Sequence, residues 1–514
     1  MADKLYFSRD AKLYVQLTSV AGAFQGVWEI PVLDGFSFSQ ATNQSEIGLN
    51  EMESTGGVSR RGRRLFTDSL APAEWSFSTY IRPTLKNTTE HHLVDEVLWA
   101  AMAGADLHAG AGASENGDFT RNSGDKATAS GIVLDALGGS LPSGPTSVGG
   151  LLSFGESNRS ALPEIALYFV FETDTASPMV YKLDKAVVNE CSVDFDIDGI
   201  ATANWSGFAK EVTDLLSTDK VKLQSDFSST AVGDVVLDPN NDLLLGVVDD
   251  SNAGHFAYNT GVTSTNNFIR NRITQLEVRG QNPDVMEGKA LTISSITTDT
   301  LTTGTTAHGL KVGDRVDING VAGATNATSY NTLLHVVAVT TTTFKVSATA
   351  GGSAITLAGT YTANSGTVST GIYNFTLTGG NVTISNNINY LVPEELGTIN
   401  KPLDAVTGAR GIGGNFTCYL TFDNLEGNTG ASADFFSDLV DPLKGLTKVV
   451  NNFNVTFKVG GASTGPRIFM NFPKTHIDVP THSIEDVISL ETNFGAYTDD
   501  FDTVDEFNLE IYGV

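Results

Sequence analysis

The stretch VDFDIDGIATANWSG, Val193 to Gly207, decides how the rest of the chain is read. Asp194, Asp196, Asp198 and Gly199 match the opening of a calcium-binding EF-hand loop. Such a loop needs a bidentate Glu at its last position. Trp205 stands there and cannot ligate a hard cation. Val193, Phe195 and Ile197 alternate with the aspartates, the period-2 pattern of a strand with one wet face. Asp198-Gly199 reads as a type I′ turn, because glycine tolerates positive φ. Ile200, Thr202 and Asn204 then alternate with Ala201, Ala203 and Trp205 down a returning strand. The residues predict a hairpin, not a metal site.

At 514 residues the chain exceeds one ordinary domain. Its 40% hydrophobic and 18% charged residues suit a folded chain, and its 52 glycines favour strands and turns over long helices. The formal charge of −28 argues against a general nucleic-acid binder, since gripping phosphates takes cationic side chains. An acidic wall would instead repel a passing polyanion. Cys191 and Cys418 give no disulfide framework and read as small buried hydrophobes. The opening residues, MADKLYFSRD, lack the apolar core of a secretory signal, and no apolar run nears the roughly 20 residues of a membrane helix. These features predict a protein kept in a cytoplasm, or assembled into something that leaves by lysis.

The chain contains itself twice. LYFSRDAKLYVQL (Leu5 to Leu17) is answered by FIRNRITQLEVRG (Phe268 to Gly280), and WEIPVLDGFSFSQATNQ (Trp28 to Gln44) by NFTLTGGNVTISNNINY (Asn374 to Tyr390), which sets Phe36 and Phe38 against Val382 and Ile384. WSFSTYI corresponds to FTCYLTF, and each is followed by a helical pattern, TEHHLVDEVLWAAMAG in one half and SADFFSDLVDPLKG in the other. The opening hairpin has its echo in DVISLETNFGAY, where Asn493-Phe494-Gly495 answers Asn204-Trp205-Ser206-Gly207. The fold class expected is mainly β, two tandem antiparallel units with one helix each, plus a small inserted β domain. The units span 1–218, with a long loop over 103–160, and 267–282 with 371–514; a linker, 219–266, joins them. The insert, 283–370, is Thr-rich, and HGLKVGDRVDING and YNTLLHVVAVTTTTFKVSA suggest its own short strands.

No residue pattern nominates catalysis. Neighbouring His91 and His92 make a poor chelate and read as a solvated helix start. GARGIGGN (Gly408 to Asn415) lacks the Lys-Ser/Thr of a phosphate loop and reads as a flexible turn before a strand. No cofactor is expected. One charge pattern stands out: Glu46, Glu51 and Glu53 precede Arg60, Arg61, Arg63 and Arg64 in a loop too long for a hairpin turn. It reads either as a solvated loop or as an arm that docks on complementary neighbours and sets register. The matching loop of the second half keeps Glu394, Glu395 and Arg410.

This succession of two long strands, a long loop (QATNQSEIGLNEMEST), a strand ending in STYIRP, a single helix and the closing hairpin DIDGIATANWSG resembles the tail tube proteins of tailed bacteriophages. The insert resembles small β modules of phage tail proteins. The resemblance implies a non-enzymatic virion protein of the tail: two fused β-sandwich or barrel units, three chains to a pseudo-hexameric ring, and stacked rings forming a channel for DNA ejection. It implies as partners the chain itself and other tail proteins, such as tape measure, terminator and baseplate, with no membrane and with DNA passing unbound. Ring closure would also pair sheet edges that are otherwise a liability. Asp194, Asp196 and Asp198 become candidates for a lumen-facing acidic row, and an outward insert favours a non-contractile tail. The alternatives are a tube-end or baseplate ring protein, or a β-rich adhesive or carbohydrate-binding surface protein.

Overall fold

A computed structural model of the chain describes principally residues 11–17, 27–47, 64–86, 90–103, 150–154, 164–171, 179–215, 265–280, 286–393, 401–422, 429–440, 452–461, 464–484, 486–498 and 506–514, with short strands between 221 and 259. Alternation of apolar and polar residues sets the long strands. A first set comprises β1 (Ala11–Leu17), β2 (Val27–Ile30), β3 (Ser37–Ile47), β4 (Arg64–Tyr80), β5 (Ile165–Phe171), β6 (Met179–Asp196), β7 (Thr202–Ala209) and β8 (Glu211–Asp214). The second comprises β9 (Gln275–Gly280), β10 (Ile372–Ser385), β11 (Asn389–Leu391), β12 (Asp404–Val406) and β13 (Gly411–Tyr419). It continues with β14 (Phe453–Val459), β15 (Arg467–Ile477), β16 (Thr481–Ile484), β17 (Ile488–Ala496) and β18 (Phe507–Tyr512).

Both sets are wired alike, and all of these pairings are antiparallel. β1 pairs with β2 and β5, β5 with β6, β6 with β7 and β8, and β4 with β7 and β3. In the second set β9 pairs with β10 and β14, β14 with β15, β15 with β17 and β18, and β13 with β17 and β10. β10 therefore takes the parts of both β2 and β3. Two further ladders join the halves: Glu190 to Asp196 of β6 run against Ser385 to Gly379 of β10, and Gly150–Phe154, a strand inside the stretch expected as a long loop, runs antiparallel to β18. The strands form one wall in the order β3-β4-β7-β6-β10-β13-β17-β15.

A single apolar core lies behind that wall. Val193, Phe195, Ala203, Trp205, Val382, Ile384, Phe416 and Phe494 project into it, as do Leu13, Val15, Leu167 and Phe169 from the strands opposite. Phe195 of the first set stacks on Phe457 of the second at 5.3 Å between ring centres, so the halves share a core as well as a sheet. Burying each such side chain is worth roughly 1.5–3 kcal/mol. Backbones come close where glycine permits it. A Cβ on Gly207 would stand 2.1 Å from the Val187 carbonyl, and one on Gly414 would stand 1.9 Å from that of Asn381. Gly413 and Gly414 lie inside β13, so GARGIGGN runs into a strand with tight neighbours and is not simply a flexible turn.

The hairpin of Val193 to Gly207 forms, but its turn is not type I′. Gly199 N–H donates to the Asp196 carbonyl at 3.1 Å, neither Asp198 nor Gly199 has positive φ, and β7 starts only at Thr202. The second set takes up the residues between. Ala201 donates to the Ile269 carbonyl at 3.0 Å, Asn271 donates to that of Gly199 at 3.1 Å, and Ile200 bridges to Arg270.

Helix α1 (Glu96–Ala103) is shorter than its sequence pattern. Glu90–Leu93 is instead a short strand against Pro83–Lys86, so His91 and His92 do not start a helix. Helix α2 (Ser432–Val440) fits its pattern; Phe435 packs edge-on to Tyr373 and Phe375 at 5.2 Å. The segment 219–266 is more than a link: among its described residues are four short strands, the last of which (His255–Asn259) runs parallel to β2. Residues 290–369 make a separate seven-stranded sheet with its own core, which includes Ile293, Val316, Ile318, Phe344 and Val346. No described helix is long and apolar enough to cross a membrane.

One buried carboxyl works against the core. Asp95 is fully buried at the entry to α1, accepts from Thr79 Oγ1 at 2.8 Å through Oδ2, and leaves Oδ1 without a partner. Burial pushes its pKa up from 3.8 to about 6 although the Thr79 bond opposes this. A folded-state pKa above the unfolded value favours the native state below pH 4, and that advantage is lost as the pH rises through 6. Asp95→Asn should therefore match the parent near pH 4 and exceed it at pH 8 by about 2–3 kcal/mol in thermal or denaturant unfolding. Equal shifts at both pH values would refute this.

Candidate functional site: a polar wall, its seam and the insert anchor

The wall's open face is built by strand alternation. Opposite the core side chains stand Ser37 and Ser39 of β3, Glu74, Ser76 and Ser78 of β4, and Thr202, Asn204 and Ser206 of β7. Across the seam the row continues with Ser192, Asp194 and Asp196 of β6, Asn381, Thr383 and Ser385 of β10, Asn415 and Thr417 of β13, and Glu491 and Asn493 of β17. The wall stretches 37–39, 74–80, 190–196, 202–206, 379–385, 411–419 and 489–495 contain no Lys or Arg. Such a face is small, polar and net negative.

The aspartate triplet divides its roles. Asp194 accepts from Asn204 Nδ2 at 2.8 Å and from Asn381 Nδ2, and Asn381 also reaches Ser192 Oγ at 2.9 Å. This cluster locks the seam from its open face. Asp196 is exposed on the same face, whereas Asp198 lies at the turn, 3.9 Å from Arg272 with both side chains exposed. Sequence reasoning found the three acids but not the asparagines, because Asn381 lies far along the chain and only the pairing brings it there.

The arm residues fare differently. Glu46 is exposed near the end of β3, and β4 begins at Arg64, whose side chain is not described. Glu51, Glu53, Arg60, Arg61, Arg63, Glu394 and Glu395 lie outside the described residues. Arg410 is placed inside the chain rather than on a free arm. Its side chain is 4% exposed and pairs with Glu506 at 2.9 Å. β11 and β12 pair as a hairpin, and Tyr390 of β11 with the preceding Ile388 packs on Val187 and Phe208 of the first set.

The insert is anchored by charge, a feature sequence reasoning missed. Arg279 of β9 donates through Nε to Glu277 at 2.6 Å, through Nη1 to Asp314 of the insert at 2.5 Å, and through Nη2 to the Gly309 carbonyl at 2.9 Å. Lys458 of β14 closes the group at 2.6 Å from Glu277. Burial would raise the Glu277 pKa, but Arg279 and Lys458 outweigh it and hold the carboxyl well below the usual range. A spacing signal existed in E-x-R on one strand face, yet nothing local tied it to Asp314.

By class, this is a β-structural protein whose halves are joined through strand edges and one shared core. No family model matches the chain. It is similar to the tail tube protein pb6 of Escherichia phage T5, 22% identical over 505 residues that cover 98% of this chain and 75% of that protein. A likeness through nearly the whole chain supports a tailed-phage tail tube protein.

Removing one member of a buried ion group strands its partners, at a cost of roughly 3–5 kcal/mol. Arg279→Met should lower stability by that order and loosen the insert, so limited proteolysis should cut between residues 281 and 289 faster than in the parent. Unchanged cleavage there would show that the charges do not hold the module.

Proposed function

We propose that the chain is a structural subunit of a phage tail tube, that three copies close a ring with six similar sectors, and that stacked rings surround a DNA passage. The observation that carries this reading is the seam. Within one chain the edge of one unit is already completed by the edge of the next, and both units are wired alike. Repetition of that contact between chains is the simplest way to use the same edges again, and a rotation that closes gives a ring. Similarity to a tail tube protein supports the tube-subunit part of this reading. The mass of purified rings, or the symmetry of their averaged images, tests it: three chains are expected and six would overturn the stoichiometry. Absence of any ring or tube would overturn the function, and band intensity in purified particles separates a repeating tube subunit from a single terminal ring.

The wall's open face suits the lumen. A conduit for a polyanion should repel phosphate weakly and hold it nowhere, and a surface of Ser, Thr, Asn and Gly with scattered Glu and Asp does so. The field is screened within roughly 8 Å at physiological salt, so it acts only on DNA near the wall. Glu74, Asp196 and Glu491 are exposed on this face, whereas Asp194 is committed to the seam. Changing those three to Lys should leave tube assembly intact and slow DNA ejection, most at low ionic strength. Ejection at the parental rate under low salt would remove the face from the lumen.

A further inference from the structure

The insert is fastened to β9 through one short loop, His308 to Asp314. Near its end, Asp314 Oδ2 accepts from Arg279 Nη1 and also from the Lys311 N–H at 2.7 Å, so one carboxylate both shapes the loop and holds it. Near its start, the Gly309 carbonyl accepts from Arg279 Nη2. His308 stands just before that carbonyl. It is 1% exposed, and its ring lies edge-on to Phe344 at 5.3 Å.

Both ring nitrogens of His308 are committed, in opposite senses. Nε2 lies 3.1 Å from the Thr343 carbonyl, which can only accept, so Nε2 carries the proton. Nδ1 accepts from the Leu310 N–H at 3.0 Å and must therefore be bare. The loop requires a neutral imidazole. A second proton, on Nδ1, would set a donor against the Leu310 donor and put a charge beside the core residues Leu310 and Phe344. The charged groups nearby are few. The loop itself carries Lys311 and Asp314; β9 contributes Arg279 and Glu277; the strand Thr343–Ser347 carries Lys345, which pairs with Asp299 at 2.8 Å. Asp314 favours a charged ring, but burial outweighs it and holds the His308 pKa below its ordinary 6.5.

We propose that His308 is an acid-sensitive catch: a proton on Nδ1 breaks the bond from Leu310, opens the loop 308–314 and releases the insert from Arg279, while the wall stays folded. The catch works in the same way whether or not the chain builds a tube. Because the folded-state pKa lies below the unfolded value, the stabilisation is complete above pH 6.5 and is lost as the pH falls from there through the folded value. Asp95, in the body of the first set, has the opposite sign, since burial raises its pKa to about 6. Acid therefore loosens the module while it favours the body that carries it.

Amide hydrogen exchange in the full chain, corrected for the intrinsic effect of pH on exchange, tests the catch. A histidine freed at its ordinary pKa is almost fully protonated at pH 5, which limits the gain in local opening between pH 7.5 and pH 5 to about thirtyfold. Peptides covering 305–315 should lose protection by roughly five- to thirtyfold over that interval, and peptides covering 190–196 by less than about twofold. His308→Gln, neutral at both pH values, should abolish the pH dependence of the loop. The same pH dependence in that variant would assign it to a carboxylate such as Asp314 and overturn the catch, as would unchanged protection in the parent. If the variant's module does not fold, NMR of the parent chain labelled at histidine decides. The His308 ring should carry its proton on Nε2 and titrate below 6.5. A proton on Nδ1 in the neutral ring, or titration at or above that value, would overturn the catch.

Discussion

The rest of the structure depends on one strand pairing, β6 against β10. A sheet edge presents backbone groups that must find partners in protein or water. Here seven consecutive residues of each half satisfy the other, from Glu190 opposite Ser385 to Asp196 opposite Gly379. Because side chains alternate, this register also decides which of them meet across the join. Phe195 is carried inward onto Phe457, and Asp194 outward to Asn381. A slip by one residue would exchange the two faces, burying the acid and exposing the ring.

Charge is handled in two opposite ways. On the open face of the wall, carboxylates stay in water or accept hydrogen bonds from asparagine, so they cost little. Beneath the insert, charge is buried, and it is tolerated because acids and bases alternate: Glu277 and Asp314 flank Arg279, with Lys458 behind. Asp95 has less help: the Thr79 bond and the Arg82 charge favour its ionised form, but burial outweighs them and holds it toward its protonated form.

Much of the strand architecture was legible because alternation is a local signal. Val193 and Phe195 against Asp194 and Asp196 specify a strand and its wet face without knowledge of any neighbour. Asn493-Phe494-Gly495, answering Asn204-Trp205-Ser206-Gly207, echoes the first hairpin for the same reason. Signals that rely on distant residues misled. Asp198-Gly199 has the composition of a tight turn, but Ile269 and Asn271 open it by taking its backbone groups. The helix pattern begun at Thr89 starts at Glu96 because Glu90–Leu93 pairs as a strand with Pro83–Lys86. Arg410 looked like a surface cation in a charged loop and is instead consumed by Glu506.

By itself, then, the sequence determined strand periodicity, a mainly β fold and a repeated order of strands and helix. Those properties reside in residue order and need only the two-residue repeat of an extended chain. Tertiary structure alone decided which edge meets which, that Asn381 would hold Asp194, that Arg279 would bridge to Asp314, and that Val382 would be sealed where Phe36 is not. Each of these joins residues far apart in the chain. Backbone hydrogen bonds are indifferent to sequence, so an edge acquires its partner only when the whole fold brings one alongside.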